Sequence, residues 1–427
     1  MRKIDRIDYF YFLIVIIYAA MAVPATKSMV RPEGGGLVAY IIPWGLTFFM
    51  AIKHRVNFIN NKLIYVVAVY GIWVILQTYK YSCFYDGSAI FFGNILIAYI
   101  LIKIYDIRMF TMYEQIVVAL SVLAIFGWIL QTTTPLPFTA FMRATSVYDF
   151  GPDSTLEASN LFFSLSNFKL NVESILPRNA GFSWEAGRYA SMVIFAMFFN
   201  LVRYRFRIKR NWAFWILCLA LLTTQSTTGF GAFLFLIYVA IQNWKVKFKS
   251  IYKVIIIVPL LIGTVSLPFV GEKISDLWFS DVNMARLIEI AKYHEAAGDL
   301  ERSIVPQRFD SLALHLMNIK DDPLLGYGIA PDNSFVRSEI SSILSPTGGI
   351  ITNFAQFGIL LGLWAFYQLY LSSRFFSQLY NYKGTWALGV IFALLSVSYS
   401  FWFVPFFSSM WMFFLFKKRD SLCLKQC

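Results

Sequence analysis

The chain has 427 residues, of which 58% are hydrophobic, 19% are aromatic and only 14% are charged. A soluble chain would carry about 25% charged residues, so the composition excludes a cytosolic enzyme, a secreted disulfide scaffold and a disordered chain. The apolar residues form uncharged blocks long enough to cross roughly 30 Å of hydrocarbon as helices. These blocks do not alternate apolar and polar residues, as the strands of a membrane barrel would. The sequence therefore predicts an all-α polytopic membrane protein.

Twelve membrane spans are predicted, within one integral membrane domain that covers residues 1–427. Their approximate limits are 10–23, 37–52, 63–78, 89–103, 113–131, 187–202, 212–224, 229–243, 254–270, 348–371, 386–404 and 405–416. Two long loops interrupt the pattern, one at 132–186 and one at 271–347. Loops of this length that are not structureless linkers usually carry function.

The net charge of +13 is distributed as in a membrane protein whose two termini are cytoplasmic. The predicted cytoplasmic segments carry 23 of the 37 Lys and Arg residues, whereas the short outer segments carry 3. This is the positive-inside pattern, so both long loops are expected on the outer side and no nucleic-acid-binding face is indicated. The first span also resembles a signal peptide. The aromatic residues at positions 9–12 favour a retained span, because they are typical interfacial anchors.

No common cofactor or metal motif is present in the sequence. The four cysteines show no CxxC spacing, and His294 and His315 lack the HExxH context of a zinc site. There is also no Walker loop, no GxGxxG and no GxSxG, which excludes ATP-driven transport and the common hydrolases. We therefore predict no cofactor and no metal. The cysteines are Cys83, Cys218, Cys423 and Cys427.

The first long loop ends in the segment LPRNAGFSWEAGRYA, residues 176–190, which leads directly into the sixth span. It places Arg178, Glu185 and Arg188 at the membrane boundary. If a helix begins near Ser183, Glu185 lies in its first turn, where the helix dipole favours an anionic side chain. Glu185 and Arg188 are then three residues apart on one face. The alternative interpretation is an ordinary helix start with a local ion pair.

The second long loop contains an amphipathic helix that ends before Asp322-Pro323. Its apolar residues, at positions 309, 312, 316 and 319, recur at helical spacing, and Arg308 and His315 share another face. An arginine at a helix N-terminus opposes the dipole, which argues for a specific role. A histidine on such a helix is more often a surface residue than a catalyst. Gly326 and Gly328 either allow a close backbone approach or form a turn.

Together these features resemble the O-antigen polymerase and ligase superfamily, membrane glycosyltransferases of the C type that act on undecaprenyl-diphosphate sugars. The resemblance rests on the segments RNAGFSWEAGRYA, QSTTG and DPLLGYG, on their order, and on the two outer loops. It implies a location in the bacterial inner membrane with a periplasmic active site. The implied partners are undecaprenyl-diphosphate-linked glycans, membrane lipids and a chain-length regulator protein. The implied catalytic residues are Arg178, Glu185 and Arg308, and the implied substrate-binding residues are Arg188, His315, Gly326, Gly328 and Asn333.

Within this superfamily the sequence favours a polymerase. Ligases usually carry a His-Asn pair about eleven residues before a glycine that opens the next span, and here that place holds Thr347 and Gly348. The chemistry agrees, because a polyprenyl-diphosphate donor carries its own leaving group and needs no nucleotide-binding fold. Guanidinium groups would neutralise the diphosphate, and a carboxylate or histidine would accept the proton of the attacking hydroxyl.

The sequence is also compatible with two other functions. A ligase would transfer a finished glycan to a lipid core or a protein, with the same donor chemistry. A polysaccharide-lipid exporter or flippase would perform no catalytic step, but it should line its interior with charge, and the spans are nearly uncharged. Gene neighbourhood and the length of surface glycans in a deletion strain would separate the three.

Overall fold

The computed structural model describes residues 4–20, 41–84, 87–146, 156–166, 176–244, 255–256, 284–298, 304, 306, 308–346 and 348–417. The predicted ninth span, apart from residues 255–256, lies outside the described residues, as do Thr347, Cys423 and Cys427. The helices are α1 (Arg6–Ala19), α2 (Ile41–Lys53), α3 (Asn61–Tyr81), α4 (Gly87–Tyr105), α5 (Arg108–Thr133), α6 (Pro135–Thr145), α7 (Ala186–Arg203), α8 (Trp212–Thr224), α9 (Thr227–Asn243), α10 (Met284–Ala296), α11 (Arg308–Asp321), α12 (Ile350–Tyr380), α13 (Ala387–Ser396) and α14 (Phe407–Phe416). Two short strands, β1 (Leu156–Ser159) and β2 (Ser164–Ser166), pair antiparallel.

The helices coincide with eleven of the twelve predicted spans, the ninth being outside the described residues. Within the described part of the chain, α3, α4, α5 and α12 are long and apolar enough to cross a membrane. Five shorter apolar helices accompany them, namely α2, α8, α9, α13 and α14. The protein is therefore a mostly helical, membrane-embedded protein, while the number of spans and their orientation stay predictions.

The core of the bundle surrounds α7, in which every residue from Ala186 to Val202 is buried. This helix packs against α5, α8 and α9. Aromatic rings fill the space between these helices and the C-terminal part of the chain. Phe110 of α5 lies 4.5 Å from Phe199 and 4.6 Å from Phe376, and Tyr113 stacks on Phe406 at 4.2 Å between ring centroids. Aromatic pairs of this kind stabilise a core beyond the burial of their apolar surface, because the rings prefer particular relative orientations.

Polar contacts at one end of the bundle join segments that are predicted to be cytoplasmic. Asp8 of α1 accepts hydrogen bonds from Tyr105, at 3.1 Å, and contacts His54 at 2.8 Å. Glu114 of α5 accepts from Arg203 at 2.5 Å and from Asn200 at 2.7 Å. Buried carboxylates are stable when they are paired in this way.

Polar contacts at the opposite end join segments that are predicted to lie outside. The Gln77 side chain, at the end of α3, donates to the carbonyls of Leu325, at 2.6 Å, and Gln356, at 2.7 Å. The hydroxyl of Ser183 donates to the Ala20 carbonyl at 2.7 Å. The C-terminal ends of α1 and α3 thus meet both predicted outer loops, and we call this region the loop end of the bundle.

The two long loops contain more regular structure than the sequence indicated. The first holds α6 and the hairpin formed by β1 and β2, which are joined by an ion pair between Arg143 and Glu157. The second holds α10 in addition to the expected α11. The predicted span 386–404 was too long, because α13 ends at Ser396 and the chain to Phe406 is not helical. The fold is thus mainly, but not entirely, helical.

Candidate functional site

Three helix N-termini meet at residues 396–400, which follow α13; we call these residues the 396–400 segment. Gly187, in the first turn of α7, packs so closely on Tyr399 that a side chain there would overlap the phenol oxygen. At the start of α9, Thr228 Oγ1 lies 2.7 Å from Ser398 Oγ. Gly349, which precedes α12, donates its N–H to the Val397 carbonyl at 3.3 Å. Helix N-termini carry partial positive charge, so their convergence favours an anion nearby.

The end of the first loop is fixed against the turn between α8 and α9. The Asn179 side chain, fully buried, donates to Thr223 Oγ1 at 2.9 Å and to the Ala124 carbonyl at 3.3 Å. Arg178 is half-buried, and its Nε donates to the Thr224 carbonyl at 3.4 Å. The structure therefore brings the RNAG motif against the two threonines that directly precede the QSTTG motif, more than 40 residues further along the chain. Asn179 was not among the predicted site residues, although its place between Arg178 and the small residues of RNAG was a usable signal.

Glu185 and Arg188 both lie at the start of α7, but they do not form the ion pair of the alternative interpretation. Glu185 is the half-buried N-cap residue, and its carboxylate has no hydrogen-bond partner among the residues that the structure describes. Arg188 is buried and donates from Nε and Nη2 to the Ala19 carbonyl, both at 3.2 Å. Its Cζ lies 5.7 Å from the Tyr399 ring and 5.4 Å from the Phe401 ring. Arg188 therefore holds α1 and the 396–400 segment against α7.

The amphipathic helix α11 turns its predicted apolar face outward and its polar face toward the protein. Leu312 and Leu316 are 39% and 52% exposed, whereas Ser311, His315 and Asn318 are almost completely buried. Ser311 donates to the Pro306 carbonyl at 3.2 Å, and Asn318 Oδ1 accepts from the Val336 N–H at 3.0 Å. Among the described residues, Asn318 Nδ2 and His315 Nδ1 have no partner, so hydrogen bonding compensates the burial of the polar face only in part.

His315 joins α11 to the beginning of α12 and is not the surface residue that its position on a loop helix suggested. Its ring is fully buried beneath Gly348, where an added Cβ would lie 2.9 Å from the ring. Its Nε2 lies 3.0 Å from Thr352 Oγ1, whose own hydroxyl donates to the Gly348 carbonyl. This network assigns the ring proton to Nε2. Burial lowers the pKa of His315 to about 4, partly opposed by the Pro346 carbonyl, so the ring is neutral at pH 7.

The buried ring predicts a loss of stability in mild acid. The folded protein keeps His315 neutral down to pH about 4, whereas the unfolded chain protonates it below about pH 6.5. Stability is therefore lost as the pH falls from 6.5 to 4, by about 3 kcal/mol in total. The His315→Gln variant should lose this component of the pH dependence. Thermal unfolding in detergent between pH 4.5 and 7.5 measures it, and identical pH slopes for the two proteins would contradict it.

Gly326 and Gly328 approach the backbone of α12. Both have positive φ angles, 69° and 82°. A Cβ at Gly326 would lie 2.6 Å from the Ala355 carbonyl oxygen, and the N–H of Gly328 donates to the Gln356 carbonyl at 3.0 Å. The approach is possible because α12 is interrupted at Gly358, which has φ 74° and ψ 169°. The two glycines thus position the loop on α12, and the close approach predicted for them is made to the protein's own backbone.

Two other predicted site residues lie in the second loop. Arg308 is the first residue of α11. Asn333 is half-buried and ends the turn Pro331–Asn333. That turn is tied to the next one by an ion pair between Asp332 and Arg337, at 2.8 Å. The structure gives no direct contact between Asn333 and the 396–400 segment.

A cavity of about 280 Å³, with a mostly apolar exposed wall and several polar lining residues, lies beside the first-loop segment that carries Arg178. Its wall includes the buried Gln131, whose Nε2 donates to the Ser166 carbonyl at 3.1 Å. Gln131 Oε1 has no partner in the described part of the chain. The other lining residues are Thr132, Pro135, Thr139, Glu157, Ser166 and Pro177. Amide, hydroxyl and carboxylate groups of this kind bind sugar hydroxyls, and the polar run QTTT at the end of the fifth predicted span was a usable sequence signal for these residues.

Comparison of the chain with protein-family models, with curated proteins and with solved structures finds no match.

Proposed function

We propose that the protein is a membrane glycosyltransferase that polymerises undecaprenyl-diphosphate-linked repeat units at the outer face of the bacterial inner membrane. The observation that carries the proposal is the convergence of the N-termini of α7, α9 and α12 on the 396–400 segment, with Arg178 at the neighbouring turn. A diphosphate is the leaving group of such a donor and remains doubly anionic or more at neutral pH. Helix N-termini and guanidinium groups are suited to stabilise it at the membrane boundary.

The reaction transfers one glycosyl group between two lipid-linked substrates. The hydroxyl oxygen of the acceptor sugar forms a bond to the anomeric carbon of the donor, and the bond from that carbon to the diphosphate oxygen breaks. Glu185 accepts the hydroxyl proton, and the undecaprenyl diphosphate leaves with the bonding electron pair. Arg178 and Arg308 bind the departing diphosphate. Glu185 suits its role because its half-buried carboxylate has no partner in the described residues.

The other predicted site residues support these groups. Arg188, His315, Gly326 and Gly328 hold α1, α11 and the second loop in place around the helix N-termini. The cavity at Gln131 offers a place for a sugar residue of one of the two glycans. Asn333 remains assigned to substrate binding by the resemblance alone. A chain-length regulator remains the expected protein partner.

The proposal requires both long loops outside and both termini in the cytoplasm. C-terminal reporter fusions at residues 160 and 310 should report the outer side, and a fusion at residue 207 should report the cytoplasm. The reason is the excess of basic residues in the predicted cytoplasmic segments. A cytoplasmic signal from the fusion at 160 would refute this orientation.

A reconstituted reaction tests the proposed function directly. Purified protein supplied with the strain's own lipid-linked repeat units, in EDTA and without nucleotide, should lengthen the glycan, which gel electrophoresis resolves by size. An absolute requirement for ATP or a divalent metal would contradict the mechanism.

A deletion strain should display glycan of a single repeat unit, since a downstream ligase still attaches it. Bare acceptor with accumulated lipid-linked polymer would instead identify a ligase, and unextended lipid-linked units retained inside would identify an exporter.

A further inference from the structure

The turn between α7 and α8, residues 204–211, presents a cluster of positive charge at the end of the bundle opposite the loop end. Arg205, Arg207, Lys209 and Arg210 are exposed, and none of them forms an ion pair with a residue that the structure describes. No acidic residue occurs between positions 204 and 211. In the predicted topology this turn is cytoplasmic, and the positive-inside rule accounts for its composition. That rule does not account for the way in which the turn is held.

The turn is fixed to the bundle by buried residues. Phe206 is buried, and its carbonyl accepts from Trp244 Nε1 at 3.0 Å. Asn211, also buried, donates to Asn200 Oδ1 at 2.6 Å. Phe206 and two of the exposed arginines have positive φ angles, between 51° and 62°. Residues other than glycine keep this conformation only where their surroundings impose it, so the fold holds the basic residues in a defined arrangement.

Other basic residues at this end of the bundle have partners within the chain. Arg203 pairs with Glu114 at 2.5 Å, and Lys53 pairs with Asp5 at 2.8 Å. The four exposed residues of the 204–211 turn differ, because the described part of the chain offers them no carboxylate. They therefore suit a partner outside the chain that carries negative charge.

An apolar stripe on α8 begins directly at this turn. Trp212 and Trp215 are 79% and 54% exposed, and Leu219 and Leu222 are exposed as well. Their spacing of three, four and three residues places them on one face of the helix. The opposite side of α8 packs against α5 and α7. In a membrane-embedded protein such leucines face hydrocarbon, and tryptophans lie at the level of the lipid headgroups. The positive turn therefore lies at the membrane surface, at the end of a lipid-facing stripe.

We propose that the 204–211 turn and the α8 stripe together bind an anionic phospholipid of the adjoining leaflet. Its phosphate contacts the exposed basic residues, and its acyl chains lie along Trp215, Leu219 and Leu222. An acidic protein segment would match the cations but not the stripe, which is why a lipid fits better. This lipid is not a substrate, and the proposal holds whether or not the protein is a polymerase, since the turn lies far from the loop end.

Photoreactive phosphatidylglycerol, in nanodiscs made otherwise of phosphatidylcholine, tests the site. In the wild type it should label residues 204–222 more strongly than phosphatidylcholine with the same reactive group does. The double variant Arg207→Gln, Lys209→Gln should lose this labelling by about tenfold or more, because each basic residue strengthens binding to an anionic lipid roughly fivefold. The matched control is Arg55→Gln, Lys62→Gln, which removes two exposed basic residues from the turn between α2 and α3 at the same end of the bundle. It should be labelled as the wild type is.

The wild-type protein alone provides a second measurement, which does not depend on the folding of a variant. Raising the salt concentration from about 0.05 M to about 0.5 M should weaken labelling by phosphatidylglycerol but not by phosphatidylcholine, because salt screens exposed charges. Equal labelling by the two lipids, or equal labelling of α3 and α12, would overturn the proposal. An equal loss in the control variant would also overturn it, since net charge would then be the cause. Displacement of the lipid by polyglutamate would assign the turn to an acidic protein segment instead.

Discussion

Alanine in place of Arg308 or Arg178 is expected to lower the rate of glycan elongation by about 10²–10³-fold, the usual effect of removing one preorganised group that stabilises transition-state charge. Both residues belong to loops that meet at the loop end of the bundle, and Arg178 lies at the turn beside the N-terminus of α9. Lysine should restore little activity at either position, because an ammonium group lacks the planar fork that binds two phosphate oxygens. Elongation in the reconstituted reaction measures the effect, with protein abundance recorded in parallel.

The matched control for these variants is Arg337→Ala, in the same loop as Arg308. Arg337 pairs with Asp332 and donates to the Ser342 carbonyl at 2.7 Å, within the second loop. We expect this variant to retain elongation within a few-fold of the wild type. Full activity of Arg308→Ala would show that Arg308 has no role in the reaction. An equal loss of activity in Arg337→Ala would show that both variants act by disturbing the fold of the second loop.

Substitution of Gly358 by alanine is expected to prevent formation of the native bundle. Gly358 has φ 74° and ψ 169°, a conformation that is essentially restricted to glycine. A Cβ there would also overlap the Leu324 carbonyl oxygen, which belongs to the backbone and cannot rotate away. Strain and steric overlap together should cost more than about 3 kcal/mol. Size-exclusion chromatography of a fluorescent fusion and thermal unfolding in detergent would show the loss.

Gly231→Ala provides the comparison for Gly358. Gly231 lies within α9, and a Cβ there would meet no atom within 4 Å. This variant should be as stable as the wild type or more stable by up to about 1 kcal/mol, because alanine favours a helix over glycine. A normal monodisperse peak for Gly358→Ala would show that the chain can continue α12 as an unbroken helix, contrary to the structure.

The helices of the bundle were predictable from the sequence because the membrane imposes their composition and length. Limits such as 212–224 and 405–416 agree with α8 and α14 to within two residues. The prediction failed at α13, where the polar run SVSYS at 396–400 interrupts an apolar block. That run ends the helix and carries Ser398 and Tyr399, which contact the first turns of α9 and α7.

The orientation of α11 was not predictable from its periodicity. Helical spacing separates an apolar face from a polar one, but it does not determine which face turns inward. In water the apolar face would be buried. Here the partners of Ser311, His315 and Asn318 come from residues 306, 352 and 336, and Leu312 and Leu316 face outward. These contacts follow from the tertiary fold, and the sequence near α11 contains no sign of them.

The candidate site was predicted only in its components. The motifs around Arg178 and Glu185 were recognised, but the contact of Arg178 with the turn between α8 and α9 was not predicted, and α7 begins at Ala186 with Glu185 as its N-cap instead of near Ser183. Its assembly depends on contacts such as Gly349 with Val397 and Thr228 with Ser398, which are 48 and 170 residues apart. Pairings over such distances cannot be inferred from one sequence, because many combinations of small and hydroxyl residues would fit equally well.

The break at Gly358 also sets the depth of the protein in the bilayer. The helix that follows it, residues 359–380, has 22 residues and is therefore about 33 Å long, close to the roughly 30 Å of the hydrocarbon layer. With little hydrophobic mismatch to relieve, this helix has no need of a large tilt. In the proposed topology, Gly358 then marks the level of the outer hydrocarbon boundary, and Gly326, Gly328 and His315, which contact the chain at or before the break, lie at the level of the lipid headgroups. A bilayer several ångströms thicker would draw these contacts into hydrocarbon, so lipid chain length should influence the geometry of the site.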